Sequence, residues 1–176
     1  AVSVLLNMAL LLFSWRRYAE FRRERIRRRA AEAKVAKLSR IDTLTGLRNR
    51  TAFFQEGDKL LRKGQRKKQG AALLLLDLDH FKTVNDVNGH PIGDTTLQLA
   101  AALIEQHLPG QALPARLGAD EFGVLIVSDQ AAGEADVLAE ALVQELGKRL
   151  DVGGAAVHTG ASIGLACPDE PSEGLD

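Results

Sequence analysis

The sequence predicts an α+β domain with a ferredoxin-like order of elements: an antiparallel central sheet carrying helices on one face, preceded by a long N-terminal helix. Three observations predict it. Beyond residue 66, apolar strand-like runs alternate with helix-periodic stretches in the order β, α, β, β, α, β, which is the ferredoxin-like pattern. A chain of 176 residues with 45% hydrophobic and 26% charged residues suits one core and excludes collagen-like or wholly disordered chains. The formal net charge of zero hides two unlike halves. Residues 1–40 hold 11 Lys+Arg against 3 Asp+Glu, net +8, whereas residues 41–176 hold 12 against 20, net −8. A single cysteine, Cys167, excludes a disulfide scaffold or a Cys-rich zinc site and fits a reducing compartment.

The chain opens AVSVLLNMALLLFSW, 15 residues without a charge. A full membrane span needs about 20 apolar residues, so residues 1–15 are expected to be the end of a transmembrane helix whose beginning is missing. Trp15 and Tyr18 stand where an interfacial aromatic belt belongs. The Arg cluster from Arg16 to Arg29 marks the cytoplasmic side. Residues 16–41 lack Gly and Pro and are rich in helix formers, which predicts a basic juxtamembrane helix lying against anionic lipid. No nucleic-acid partner is expected. The expected location is the inner (cytoplasmic) membrane, with the folded domain, residues 42–176, in the cytoplasm.

Within that domain, Asn49 can cap a helix from Arg50 to Arg66, with Phe53, Phe54, Leu60 and Leu61 at core spacings. GQRKKQG reads as a polar turn. AALLLLDLD reads as a strand buried on both faces. NDVNGHPIGD is rich in turn formers, and Pro91 suits a first helical turn. TTLQLAAALIEQHL has helical periodicity. ALPARLGADEFGVLIV reads as two strands around a turn at Gly118. A second long helix, capped by Ser128 or Asp129, and a last strand in AVHTGASIGLAC complete the order.

Three groups of residues can carry chemistry. Asp77 and Asp79 share one face of a strand end, where they are either a solvated pair or a cation site. Asp120 and Glu121 lie in the hairpin turn, 43 and 44 positions beyond Asp77. The predicted topology makes these two places neighbours, and carboxylates joined by substrate phosphates are what Mg²⁺ takes. Finally, HFKTVNDVNGHPIGD holds Lys82, Asn85, His90 and Asp94. A Lys can pair with phosphate, and an amide with a carboxylate can read a guanine edge. Each of these also has a plain structural reading as a loop cap; His90 beside Pro91 is read as structural.

DTLTGLRNR, LLLLDLDHFKTVNDVNGHPIGD and RLGADEFGVLI, in that order and spacing, resemble the GGDEF domain of diguanylate cyclases. The closing SIGLA resembles that family's last core strand. The resemblance implies a nucleotidyl-cyclase palm fed by a signalling helix. It implies condensation of two GTP into cyclic dimeric GMP and pyrophosphate, with Mg²⁺ or Mn²⁺, at the interface of a homodimer. By the resemblance, Asp77, Asp120 and the Leu78 carbonyl match the metal ligands. Asp120 and Glu121 are the catalytic acidic pair, Phe81 and Lys82 contact phosphate, and Asn85 and Asp94 read guanine.

Three departures from the family pattern bear on activity. Ala119 replaces the second Gly of the signature, and its methyl group would interfere if the position requires positive φ or approaches phosphate. The family's R-x-x-D inhibition motif is replaced by PGQA at residues 109–112, which predicts turnover without product inhibition of that type. The family's C-terminal helix, which brings a Lys and an Arg to the phosphates, is expected to be lacking. The alternative expectation is a GTP-binding regulatory or dimerising module with weak or no catalysis.

Overall fold

A computed structural model describes residues 17, 40–152 and 154–168. The chain divides into two units, Ala1–Ser39 and Arg40–Asp176. The apolar segment 1–15 and nearly all of the expected juxtamembrane helix lie outside the described residues. At the end of that helix the structure departs from expectation: Arg40 is not helical, and Ile41 forms an isolated antiparallel bridge with Arg48. Among the described residues no helix is long and apolar enough to cross a membrane.

The second unit is built from β1 (Arg48–Asn49), α1 (Arg50–Arg66), β2 (Gly70–Asp79), α2 (Phe81–Asn88) and α3 (His90–His107). It continues with β3 (Ala112–Arg116), β4 (Glu121–Ser128), α4 (Ala131–Leu146), β5 (Leu150–Val152), β6 (Ala155–Val157) and β7 (Gly160–Ala166). Five strands form one sheet in the order β1-β3-β4-β2-β7. Its last four strands are antiparallel and keep the predicted ferredoxin-like arrangement; only the short β1–β3 pair is parallel. β5 and β6 make a separate hairpin.

Helix α1 begins as its sequence dictates. The Asn49 side chain accepts a hydrogen bond from the Ala52 N–H at 2.9 Å, satisfying one of the orphan donors of the first turn. The cap expected for α4 differs. Gln130 occupies that position without a side-chain cap bond, while the Ser128 hydroxyl donates to Glu134 at 2.6 Å and accepts from the Gln130 N–H. The stretch expected to be a turn folds mainly as helix. α2 and α3 are joined at Gly89, whose φ of 82° an L side chain rarely adopts. Pro91 sits in the first turn of α3, where its missing N–H costs nothing. The last predicted strand is divided into β6 and β7.

Helices lie on both faces of the sheet, not on one. On one face, Leu74, Leu76, Phe122 and Ile126 pack in a cluster with Leu97 and Ile104 of α3 and Leu138 and Leu142 of α4. On the other, Phe53 and Leu61 of α1 cover Ala115, Leu125 and Val127. Each buried Leu or Phe contributes about 1.5–3 kcal/mol by leaving water. α1 does not reach across the whole second face, so Leu75 is 49% exposed and Leu165 40% exposed. The expectation that β2 is buried on both faces holds only for its even positions: Ala72, Leu74, Leu76 and Leu78 are buried.

Candidate functional site

The carboxylates meet because of the β2–β4 register. In that antiparallel ladder Asp77 lies directly opposite Glu121, and Leu76 opposite Phe122. The Leu78 N–H donates to the Asp120 carbonyl at 3.2 Å, pinning the hairpin turn beside the end of β2. Alternation buries Leu78 in the core while Asp77 faces solvent. Loss of water around Asp77, and then the negative charges of Asp120, Glu121 and Asp79, push its carboxyl above the ordinary carboxylate value. Asp79 accepts a hydrogen bond from the Ser162 hydroxyl at 2.7 Å.

The hairpin turn closes on Glu121. Its carbonyl accepts from the N–H groups of Leu117 (2.8 Å) and Gly118 (3.3 Å). A side chain at Gly118 would place its first carbon 2.5 Å from Glu121 Oε2, so the glycine leaves room for that carboxylate over the turn. Ala119 is exposed. Positive φ at residues other than glycine is confined, among the described residues, to Lys68 and His80. The backbone of Ala119 therefore carries none of the strain that positive φ would impose on a methyl-bearing residue.

Phe81 and Lys82 open α2, the first buried and the second exposed. The left-handed turn at His80 (φ 57°) redirects the chain there from the end of β2. Asn85 is half-buried in the same helix, and Asp94 is exposed in the first turns of α3. His90 starts α3 and is exposed. A cleft of about 340 Å³ borders the carboxylates on the α1 side, lined in part by Arg50, Phe54, Leu75, Asp77 and Glu121. The Arg50 guanidinium lies over the Phe54 ring at 5.8 Å.

Sequence reasoning missed the residues that brace the turn from outside. The Arg116 guanidinium donates to the Ala119 carbonyl at 2.7 Å and to Asp42 Oδ1 at 3.3 Å. Its Nε is buried without a partner among the described residues. Asp42 is at the same time the acceptor for the Thr45 N–H and hydroxyl, at 3.0 and 2.8 Å. Burial alone would raise the Asp42 carboxyl, but the Thr45 hydrogen bonds and the Arg116 charge outweigh it and hold it below the usual value. The available signal was an Arg placed two residues before Gly118 at the end of a strand, which alternation alone does not distinguish from a solvated charge.

Among the described residues no group of three or more His, Cys, Asp or Glu side chains is gathered closely enough to hold a metal by itself. The donor set still suits a hard divalent cation of the Mg²⁺ kind, which takes one or two carboxylates and completes its shell with water and substrate phosphate.

With this geometry in view, the comparisons with known proteins decide the family. Residues 39–175 match the family model described as "Diguanylate cyclase, GGDEF domain". The chain belongs to the GGDEF family. It is 42% identical over 137 residues to an uncharacterized protein of Mycobacterium tuberculosis, Rv1354c, covering 78% of this chain and 22% of that protein. It is 35% identical over 136 residues to the bifunctional diguanylate cyclase/cyclic di-GMP phosphodiesterase MucR of Pseudomonas aeruginosa, covering 77% and 20%. The chain thus spans about a fifth of the length of these curated relatives. The crystal structure of the coiled coil and GGDEF domain of DgcB from Caulobacter crescentus, in complex with c-di-GMP, matches with a TM-score of 0.69 and 28% identity. That match covers 90% of this chain and 84% of that one. The fold is the GGDEF palm, with its signature here written Gly118-Ala119-Asp120-Glu121-Phe122.

Proposed function

We propose that this GGDEF domain is a diguanylate cyclase, condensing two GTP into cyclic dimeric GMP at the interface of a homodimer. The observation that carries the reading is the placement of Asp77 opposite Glu121 with the Asp120 carbonyl bonded to the Leu78 N–H. That arrangement keeps an acidic cluster at the open end of two strands, where negative charge is costly unless a cation offsets it.

In each of two equivalent steps, the 3′-oxygen of one GTP attacks the α-phosphorus of the other. The P–O bond to the β-phosphate breaks, pyrophosphate leaves, and the hydroxyl proton passes to a base or to water. Two steps give one cyclic product and two pyrophosphates. The chemistry needs in-line positioning and charge neutralisation more than covalent help. Asp77, Asp120 and the Leu78 carbonyl would hold Mg²⁺ or Mn²⁺, which supplies Lewis-acid neutralisation of phosphate charge. Glu121 stands beside them as proton acceptor. Lys82 and the backbone of Phe81 at the start of α2 hold phosphate, and Asn85 with Asp94 holds the guanine. Each protomer presents one GTP, so the encounter of two domains sets the rate. The N-terminal segment, as a membrane-anchored helix at the inner membrane, would govern that encounter.

A second reading, a GTP-binding regulatory module with little turnover, draws on Ala119. Because Ala119 lies outside the positive-φ region, only the approach of a phosphate to its methyl group favours that reading. The test is incubation of the full chain in mild detergent with GTP and Mg²⁺, followed by chromatography and mass measurement. The expected result is cyclic dimeric GMP forming at a rate that climbs steeply with protein concentration. Progress curves should lack early product inhibition, because PGQA replaces R-x-x-D. Folded, dimeric protein that binds GTP and makes no product would leave the regulatory reading, and turnover restored by Ala119→Gly would identify the cause.

A further inference from the structure

We infer that Gly93 is a positioning residue for base selection: it is a glycine so that the oxygen end of the Asn85 amide can lie close against the first turns of α3. This rests on the proposed reading of Asn85 and Asp94 as the guanine-binding pair, and it assigns a specificity role to a residue that would touch no nucleotide.

Gly93 is buried in the first turns of α3, and its φ is not among the positive ones. Nothing in its backbone therefore calls for glycine, which is a poor helix former. The reason lies in space. A methyl group built at Gly93 would overlap Asn85 Oδ1, and would lie 2.9 Å from Asn85 Cγ and 3.4 Å from Nδ2. Its three nearest neighbours are all atoms of that one side chain. The chain arranges this meeting locally. The Gly89 N–H donates to the Asn85 carbonyl at 2.9 Å, and the Gly93 N–H donates to the Gly89 carbonyl at 3.3 Å. The end of α2 and the start of α3 are thereby folded against each other across one residue. The Asn85 side chain has no hydrogen-bond partner among the described residues, so its amide remains available to a ligand, and its oxygen end lies where a Gly93 methyl group would sit.

The chemistry gives the inference a signature. A carboxylate only accepts, so Asp94 suits the N1–H and 2-amino donors of guanine; the Asn85 amide can donate to O6. Hypoxanthine keeps O6 and N1–H but lacks the 2-amino group, and adenine replaces O6 with a donor. Displacing Asn85 should therefore weaken the guanine and hypoxanthine nucleotides together, leaving the ratio between them to Asp94.

The experiment measures equilibrium binding of α,β-methylene analogues of GTP, ITP and ATP to the full chain and to Gly93→Ala. The expected result is a roughly tenfold fall in the GTP/ATP affinity ratio, the scale of one lost hydrogen bond, with the GTP/ITP ratio unchanged. A melting comparison in the Asn85→Ala background separates packing from folding. There Gly93→Ala should be neutral or stabilising, because the atoms it would strike are gone. An unchanged GTP/ATP ratio in Gly93→Ala would overturn the inference, and so would a Gly93→Ala destabilisation that persists in the Asn85→Ala background. A parent chain that does not prefer GTP to ATP would instead remove the guanine-reading premise.

Discussion

Asp77 faces Glu121 across the β2–β4 ladder and has its carboxyl raised by loss of water and by three neighbouring acids. A raised carboxyl binds its proton more tightly folded than unfolded, so the ionised form costs stability at neutral pH, and that cost vanishes below the ordinary carboxylate range. Without divalent cation, Asp77→Asn should melt higher than the parent chain near pH 7, and the gap should close as the pH falls through the carboxylate range. Melting curves across pH measure it. On the proposed reading, the same substitution should lower cyclic dimeric GMP formation by about a hundredfold or more, since it would remove a ligand for an ion that would supply several kcal/mol of charge stabilisation. At this scale much of the site was legible. The pairing of Asp77 with the hairpin acids follows from strand alternation and a turn-centred glycine. Asn85 and Asp94 could be named from their residue types as a pair able to read guanine, but an isolated amide and carboxylate have many ordinary uses, and the family resemblance chose this reading over a loop cap. Gly93 was invisible because its role depends on a side chain one helix away, and Arg116 because its two acceptors are the Ala119 carbonyl and an aspartate 74 positions earlier.

The elements were readable where periodicity is long. α1 has the bounds its cap predicts, and replacing that cap checks its contribution: Asn49→Ala should cost about 1 kcal/mol, read as a lower denaturation midpoint with an unchanged slope. The second half of α2, residues 85–88, was read as part of a turn-rich stretch because Asn, Asp and a following Gly carry the composition of a loop. What makes it helical is burial of Phe81 and Val84, a tertiary effect that outweighs local propensity. The β5–β6 hairpin was missed for a similar reason. Its strands are three residues each, too short for an alternating pattern, and Val152 and Val157 are buried against Val84. The single-face expectation for the helices failed because α1 precedes the repeating pattern and takes the face that the other helices leave.

At the scale of the whole molecule, the segment at residues 40–49 and the signature turn are tied into one unit. Arg116 holds Asp42 on one side and the Ala119 carbonyl on the other, while the Asn49 N–H reaches the Arg40 carbonyl at 3.0 Å. A displacement entering at Arg40 thus has a short hydrogen-bonded route to the acidic cluster. The β2–β4 register has a kinetic consequence as well. Asp77 and Glu121 are 44 positions apart in the chain, and they become neighbours only after a long loop has closed, the slow kind of contact in folding. Stopped-flow refolding should show helical signal returning first and nucleotide affinity returning last, at the rate of sheet assembly. Acid repulsion at the closing end of that ladder should make this last phase faster when a divalent cation is present. A newly synthesised copy would then remain silent until its central strands have paired, and no fragment holding just one of those strands could inherit the chemistry.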